Sequence, residues 1–135
     1  MAELEADSRV VLDASAVLAL LFAEPGEDRV RAVLDRSVMS AVNWHEVIAK
    51  LIDRGVTDDE IADIAANLPV EIVVVDQKAA EAGARLRAST RAGGLSLGDR
   101  SCLALAQSLR AVAYTTDRSW AVIADAVRLE VELIR

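Results

Sequence analysis

The chain has little of the chemistry on which many protein functions depend. Its 135 residues include one cysteine, Cys102, and one histidine, His45. A single cysteine excludes a disulfide framework and a cysteine zinc cluster, and a single histidine excludes an acid/base pair of histidines. Four aromatic residues provide no evident platform for base stacking. Any catalytic chemistry must therefore depend mainly on carboxylates.

Long apolar runs and a basic leader are also missing. The longest apolar stretch, residues 16–23, is far shorter than the roughly 20 residues that a bilayer-spanning helix needs. The leader, residues 1–9, contains Glu3, Glu5 and Asp7, whereas a signal peptide begins with positive charge. We therefore expect no membrane span and a cytoplasmic location, with the polar leader flexible.

Small aliphatic side chains dominate the composition. Of 72 apolar residues, 65 are Ala, Val, Leu or Ile, and the mean hydropathy is +0.29. This composition excludes intrinsic disorder, because so much apolar surface favours a packed core. A chain of this length forms one hydrophobic core, so we expect a single domain over residues 1–135.

The charge is negative overall but unevenly distributed. Fifteen basic and 22 acidic side chains give a net charge of −7, which argues against binding of nucleic acid along the whole chain. Residues 85–118 differ, since six arginines and two acids give this segment +4 and leave −11 elsewhere. The segment predicts a basic face beside an acidic spot, although a solvated helix face would contain the same arginines.

Hydrophobic periodicity predicts strands that alternate with helices. A strand over 10–12 leads into a helix over 14–23, and a capping box at 57–60 begins a helix that ends before Pro69. The remaining predicted strands are 38–39, a buried run at 70–75, 111–115 and 129–134. The remaining predicted helices are 27–36, 41–54, 77–91 (broken by Gly93 and Gly94), 97–109 and 118–125. This order predicts an α/β fold with a mostly parallel sheet of about five strands flanked by helices.

Three aspartates fall where such a fold binds ligands, at the carboxyl ends of its strands. Asp13 follows the first strand, Asp117 follows the 111–115 strand, and Asp99 lies in the helix turn that Ser96 begins. Three clustered acids repel each other, and a divalent cation removes that repulsion. Oxygen ligands without cysteine suit Mg²⁺ or Mn²⁺. Each aspartate could instead only cap the helix that follows it.

Helical periodicity does not indicate a functional role for Glu46. It lies about 150° from the apolar stripe of the 41–54 helix, which predicts a solvated side chain. Cys102 is interpreted as a small buried apolar residue, and Trp44 and Trp120 as anchors of the core or of an interface. None of these residues identifies a function by itself.

Four segments form a specific pattern in their order and spacing. They are VVLDASAVLALLFAEPGE, SAVNWHEV, LSLGDRSCLALA and YTTDRSW, at residues 10–27, 40–47, 95–106 and 114–120. Together they resemble the PIN-domain nucleases and, within them, the VapC-type toxins of bacterial toxin–antitoxin pairs. Ala14 and Trp120 depart from the usual residues of that family, but neither stands at a metal-ligand position. The resemblance implies a single-domain PIN-like fold.

The resemblance also implies a set of site residues. Four acids would bind the metal and catalyse the reaction: Asp13, Glu46, Asp99 and Asp117. Ser15 and Thr115 match the family's small hydroxyl positions, which would orient ligands or water. In this family the helix of Glu46 flanks the cleft, so the polar face of that helix would face the metal.

The implied activity is hydrolysis of RNA phosphodiester bonds by a Mg²⁺- or Mn²⁺-dependent endoribonuclease. The implied partners are an antitoxin, whose C-terminal segment blocks the acidic groove, and a second copy of the chain in a homodimer. Arg100 and Arg118 stand beside proposed ligands and are candidates for contacts with RNA phosphates, or for ion pairs at the surface. The alternative function is a catalytically silent PIN-like module that binds RNA or protein.

Two other classes of acidic-pocket protein fail on specific residues. A haloacid-dehalogenase-type phosphatase needs a second aspartate two residues after the first, and Ser15 stands there. A phosphoacceptor receiver domain needs a lysine near the end of the chain, and the last lysine is Lys78. The sequence therefore favours the nuclease.

Overall fold

Residues 8–91 and 94–135 are described by the computed structural model. The strands within them are β1 (Val10–Leu12), β2 (Ser37–Ser40), β3 (Glu71–Val73), β4 (Val112–Thr115) and β5 (Val131–Leu133). The helices are α1 (Ala14–Leu21), α2 (Glu27–Arg31), α3 (Ala41–Asp53), α4 (Asp58–Asn67), α5 (Gln77–Arg85), α6 (Arg87–Thr90), α7 (Leu97–Leu109) and α8 (Trp120–Ile123), with a 3₁₀ helix over Leu34–Arg36. Gly93 lies outside the described residues, and so do residues 1–7 of the leader, which the sequence predicts to be flexible.

The strands form one parallel sheet in the order β3-β2-β1-β4-β5, which confirms the predicted α/β fold class. The chain moves outward from β1 through β2 to β3, and then returns to the other side of β1 for β4 and β5. The order therefore reverses between β1 and β4. In open parallel sheets this reversal opens a crevice at the carboxyl ends of the two strands.

Both faces of the central strands are buried, as expected for parallel strands. Val11 and Ala113 contribute to the core on one face, where α7 and α8 cover the sheet. Val10 and Leu12 contribute to the core on the other face, against α1, α2 and α3. Neighbouring residues of β1 thus point to opposite faces, as a strand requires. No helix of the described ranges is long and apolar enough to cross a membrane.

Side-chain caps begin several of the helices. The Asp13 carboxylate caps α1, and Ser96 with Asp99 forms a complete capping box at the start of α7. The predicted capping box of Thr57 and Glu60 begins α4. Because a cap is a contact between residues close in sequence, these helix starts agree with the prediction.

Several predicted elements differ in extent or exposure. The run at 70–75 was expected to be a buried strand, but only Glu71–Val73 pairs, and Val74 is 76% exposed. The reason is that β3 is an edge strand with one neighbour. The predicted helices 27–36 and 77–91 are each interrupted, and α8 covers only Trp120–Ile123.

The two tryptophans occupy different environments. Trp120 is fully buried within the core under α7, so it is a core anchor and does not belong to an interface surface. Trp44 is half-buried against the core on the other face. Cys102 is fully buried among aliphatic side chains, which confirms its interpretation as a small apolar residue.

Candidate functional site

A pocket of about 260 Å³ opens at the carboxyl edge of the sheet, beside the reversal between β1 and β4. Its walls include all four of the predicted site acids: Asp13, Glu46, Asp99 and Asp117. These acids come from four separate parts of the chain, namely the ends of β1 and β4 and the helices α3 and α7. The tertiary structure therefore brings together the carboxylates that the sequence places far apart.

Asp13 is the most firmly held of these carboxylates. It is buried, and its Oδ1 accepts hydrogen bonds from the Ser15 hydroxyl (2.7 Å) and the Ala16 N–H (2.9 Å). Its Oδ2 accepts from the Thr115 hydroxyl at 2.6 Å. Burial raises the pKa of Asp13 to about 6 despite these hydrogen bonds, which lower it, and the charge of Asp99 raises it slightly more. Asp13 is thus a fixed carboxylate whose charge is costly without a cation.

The two predicted hydroxyl residues tie the β1 end of the site to the β4 end. Besides donating to Asp13, the Ser15 hydroxyl oxygen accepts from the Thr116 N–H at 3.0 Å. The Thr115 hydroxyl oxygen accepts from the Asp117 N–H at 3.0 Å. These contacts join the start of α1 to the loop after β4, so they set the position of Asp117 relative to Asp13.

Asp99 belongs to a helix cap, as the alternative interpretation of the sequence held, whereas Asp117 accepts its hydrogen bonds in the turn before α8, whose N-cap is Ser119. Asp99 Oδ2 accepts from the Ser96 N–H at 3.0 Å, and Asp117 Oδ1 accepts from the Ser119 N–H at 2.9 Å. In each case the second carboxylate oxygen has no donor in the described part of the chain. These local hydrogen bonds and metal binding are therefore compatible, because each uses a different oxygen.

Glu46 is exposed and yet lines the pocket. The first turns of α3 and α7 meet there, where the Asn43 amide donates to Glu46 Oε1 (2.9 Å) and to the Gly98 carbonyl (3.0 Å). The Glu46 carboxylate lies directly on Gly98, where the Cβ of any other residue would overlap its atoms. Periodicity alone predicted only the exposure, since it does not report which helix packs beside the polar face.

Three residues of the site escaped the analysis of the sequence: Asn43, Lys50 and Gly98. Asn43 and Lys50 stand three residues before and four residues after Glu46, so they share its helix face. Gly98 is a poor helix former in the first turn of a helix, which often indicates a close approach by another group. The helical spacing from Glu46 and the glycine in a first helical turn were therefore the sequence features that could have indicated these three residues.

The candidate RNA contacts are placed differently from the acids. Arg100 is half-buried and donates to the Leu95 carbonyl at 2.9 Å, and Arg118 is exposed beside Asp117. Neither arginine belongs to the lining of the pocket as far as the structure describes it. Contact of either residue with RNA stays a prediction.

The donor set of the pocket fits a hard divalent cation. Asp99, Asp117 and Glu46 each keep one oxygen that accepts no hydrogen bond within the described residues. Within those residues, no three metal-ligating side chains come close enough to enclose an ion by themselves. Mg²⁺ usually takes one or two protein carboxylates and keeps several waters, so it does not require such a cluster. The residues present therefore fit such an ion.

The buried thiol of Cys102 reports the concentration of negative charge at the site. Burial raises the pKa of this thiol well above its ordinary value. Three acids of the pocket raise the pKa further: Asp13, Asp99 and Glu46. Cys102 lies on α7 one turn beyond Asp99, beneath the acids. The negative charge of the site therefore acts on a side chain in the core as well as on the pocket.

The raised pKa of Asp13 predicts a pH-dependent stability of the metal-free protein. The pKa rises from 3.8 to about 6 on folding, so the folded state binds this proton more tightly than the unfolded state does. The stability that Asp13 contributes is therefore present below about pH 4 and lost as the pH rises through about 6. We expect the advantage in unfolding free energy of Asp13→Asn over the wild type to grow across this range by up to about 3 kcal/mol.

Urea denaturation in chelator at several pH values measures this difference. Asp76→Asn is a matched control, because Asp76 caps α5 in the same way but is exposed. A difference for Asp13→Asn that stays constant with pH would contradict the prediction.

Comparison with known proteins extends these observations. The fold is similar to a toxin–antitoxin complex from Klebsiella pneumoniae (TM-score 0.71, 21% identity, 93% of this chain and 98% of that chain). It is also similar to DNA-bound VapBC from Salmonella typhimurium (TM-score 0.73, 17% identity, 95% and 99%) and to FitAcB from Neisseria gonorrhoeae (TM-score 0.69, 17% identity, 93% and 97%). At these sequence identities, the structural similarity shows that the fold is shared.

Comparison of the sequence gives the family. A search of curated protein sequences found no match. The sequence profile of the PIN domain matches residues 10–126, which include the two ends of the pocket, Asp13 and Asp117. Since this match spans most of the chain, the protein belongs to the PIN domain family, whose members are nucleases.

Proposed function

We propose that this protein is a metal-dependent endoribonuclease and the toxin of a toxin–antitoxin pair. The observation that carries the proposal is the convergence of four carboxylates on one pocket, at the strand reversal of a PIN-family fold. The proposed direct or water-mediated ligands of Mg²⁺ or Mn²⁺ are Asp13, Asp99 and Asp117, with Glu46 as a further ligand or as the base that positions the water. A pocket of this composition suits a reaction in which negative charge develops on phosphate oxygens.

The side chains of the pocket have different proposed roles, which follow from how tightly each of them is held. When bound, the metal would supply an acidified water and would offset charge on the phosphate. Asp13 provides a ligand position that three donors prevent from moving. Asp99 and Asp117 are each oriented by hydrogen bonds to one carboxylate oxygen, and the other oxygen of each stays free of donors among the described residues.

Glu46 has a different part in the proposed reaction. It is held by one hydrogen bond from Asn43 and is exposed at the pocket, so it has the freedom to take a proton from the attacking water. In-line attack of that water on phosphorus would break the bond to the 3′ oxygen, which leaves and takes up a proton from solvent. The family resemblance implies products with 5′-phosphate and 3′-hydroxyl ends.

The choice of RNA and of an antitoxin partner is supported by resemblance and by charge. The similar solved structures include toxin–antitoxin and VapBC complexes. A pocket with four carboxylates favours a basic side chain, so a basic C-terminal segment of an antitoxin would bind there and inhibit the enzyme. A homodimer and a cytoplasmic location are further proposals from the same resemblance.

Cleavage of a labelled total-RNA pool by the purified protein tests the proposed function. The reactions contain Mg²⁺, Mn²⁺ or chelator, and Asp99→Asn is compared with the wild type. We expect cuts that need the metal and are absent from the variant. Cutting that survives both chelator and Asp99→Asn would reject the metal-carboxylate mechanism. Absence of cutting in every reaction, with no toxicity on expression, would favour the catalytically silent module.

A further inference from the structure

Lys50 is a cation within the acidic pocket and has no role in the reaction as described so far. We propose that Lys50 binds a non-bridging oxygen of an RNA phosphate and so positions the strand over the carboxylates. This inference rests on the proposed function and deepens it. Lys50 lines the pocket together with the four acids, at its exposed side.

The position of Lys50 follows from the helix that carries Glu46. The two residues are four apart on α3, so they lie one turn apart on the same face. The first turn of α3 meets α7 through Asn43 and Gly98, which directs this face toward the pocket. Lys50 extends the wall of the pocket along α3, away from the sheet.

The ammonium group is available for a ligand. The ammonium group of Lys50 forms no ion pair or hydrogen bond with any residue that the structure describes, although four carboxylates line the same pocket. The only other lysine, Lys78, lies on α5 beside a different pocket. An unpaired, flexible cation at the edge of an acidic cavity suits an anionic ligand that enters from solvent.

The negative charge of the pocket explains why RNA binding would need a basic side chain there. An RNA strand that approaches four carboxylates is repelled, and a bound divalent cation offsets only part of this charge. The two arginines expected to contact phosphates do not line the pocket in the described structure, and Arg100 is engaged with the Leu95 carbonyl. Lys50 is the basic side chain in its lining. A lysine contacts a phosphate oxygen as a compact point charge.

RNA binding measured at several salt concentrations tests the role of Lys50. The probe is a fluorescein-labelled single-stranded RNA of randomised sequence, and the protein carries Asp117→Asn so that the RNA is not cut. We expect Lys50→Ala to weaken binding about tenfold at low salt. We also expect the slope of log affinity against log salt to become shallower by about 0.7, the loss of one phosphate contact.

Two further variants make the assay specific. Lys50→Arg keeps the charge and is expected to keep most of the affinity and the slope. Lys78→Ala removes the other lysine and is expected to bind like the parent protein. In the active enzyme, Lys50→Ala is expected to raise KM about tenfold and to change kcat less than about threefold, because it removes binding rather than chemistry.

Each outcome decides one of the two proposals. An unchanged affinity and salt slope in Lys50→Ala, or an equal loss in Lys50→Arg, would overturn the role of Lys50. Loss of thermal stability or of Mn²⁺ binding in Lys50→Ala would also overturn it, in favour of a structural role. If the wild type binds RNA with a slope that depends on Lys50 but cuts no RNA, the role of Lys50 stands and the nuclease proposal fails.

Discussion

Asp117→Asn is expected to lower the rate of metal-dependent RNA cleavage by at least about 100-fold, since a bound metal contributes several kcal/mol to the transition state. The fold is expected to stay intact. An asparagine keeps an oxygen that accepts from the Ser119 N–H and hydroxyl, so the turn after β4 retains these hydrogen bonds. The change thus removes a charge at the pocket and little else. Single-turnover cleavage of an RNA that the wild type cuts measures the effect.

Asp76→Asn is the control for this experiment. Asp76 also accepts a backbone hydrogen bond at a helix start, from the Ala79 N–H at 2.9 Å, and it lies outside the acidic pocket. Both variants lose one negative charge from an exposed carboxylate that accepts a backbone hydrogen bond. We expect Asp76→Asn to cut RNA at the wild-type rate. If Asp117→Asn cut within threefold of this control, Asp117 would not be a ligand.

Gly98→Ala is expected to reduce cleavage by about 100-fold, because a displacement of about 1 Å in a catalytic group has effects of this size. An alanine Cβ would occupy the place of the Glu46 carboxylate, which is the mobile end of a long side chain. The carboxylate must therefore move, while the backbone of α7 need not. Stability is expected to stay constant or to rise by about 1 kcal/mol, because alanine is the better helix former.

Cleavage rates and urea denaturation of the same variants check both halves of this prediction. Gly83→Ala is the matched control, since Gly83 is also a helical glycine, but a Cβ there would make only ordinary contacts of 3.8 Å with Arg100 and 3.9 Å with Ala104. It is expected to leave cleavage unchanged. A Gly98→Ala protein that is active, or one that unfolds, would show that the contact with Glu46 is not what requires glycine.

A double substitution separates the action of Gly98 from that of Glu46. If alanine at position 98 acts only by displacing the Glu46 carboxylate, it has no further effect in a Glu46→Gln background. The two changes are then far from additive, as expected for residues in direct contact. Additive losses would instead indicate that Gly98→Ala disturbs Asp99, the next residue along α7.

The parts of the fold that depend on nearby residues were predictable from the sequence. The Thr57 and Ser96 capping boxes and the Asp13 cap use contacts within three residues, so the pattern of residues indicates them. The alternation of strands and helices predicts the parallel sheet, because parallel strands need crossover helices. Asp13 and Asp117 were predicted at the carboxyl edge by the same rule, since each directly follows a central strand.

The tertiary structure alone decided what packs beside each exposed face. Helical spacing predicted that Glu46 is solvated, and only the approach of α7 through Gly98 makes that face a pocket wall. For the same reason the sequence did not indicate Lys50 as a pocket residue. It also predicted that the apolar 70–75 run is buried, although β3 is an edge strand. Periodicity reports which side of an element faces its own core. The sequence by itself thus determined the order of elements and the acids at their ends, whereas contacts between residues distant in sequence decided how these acids form one site.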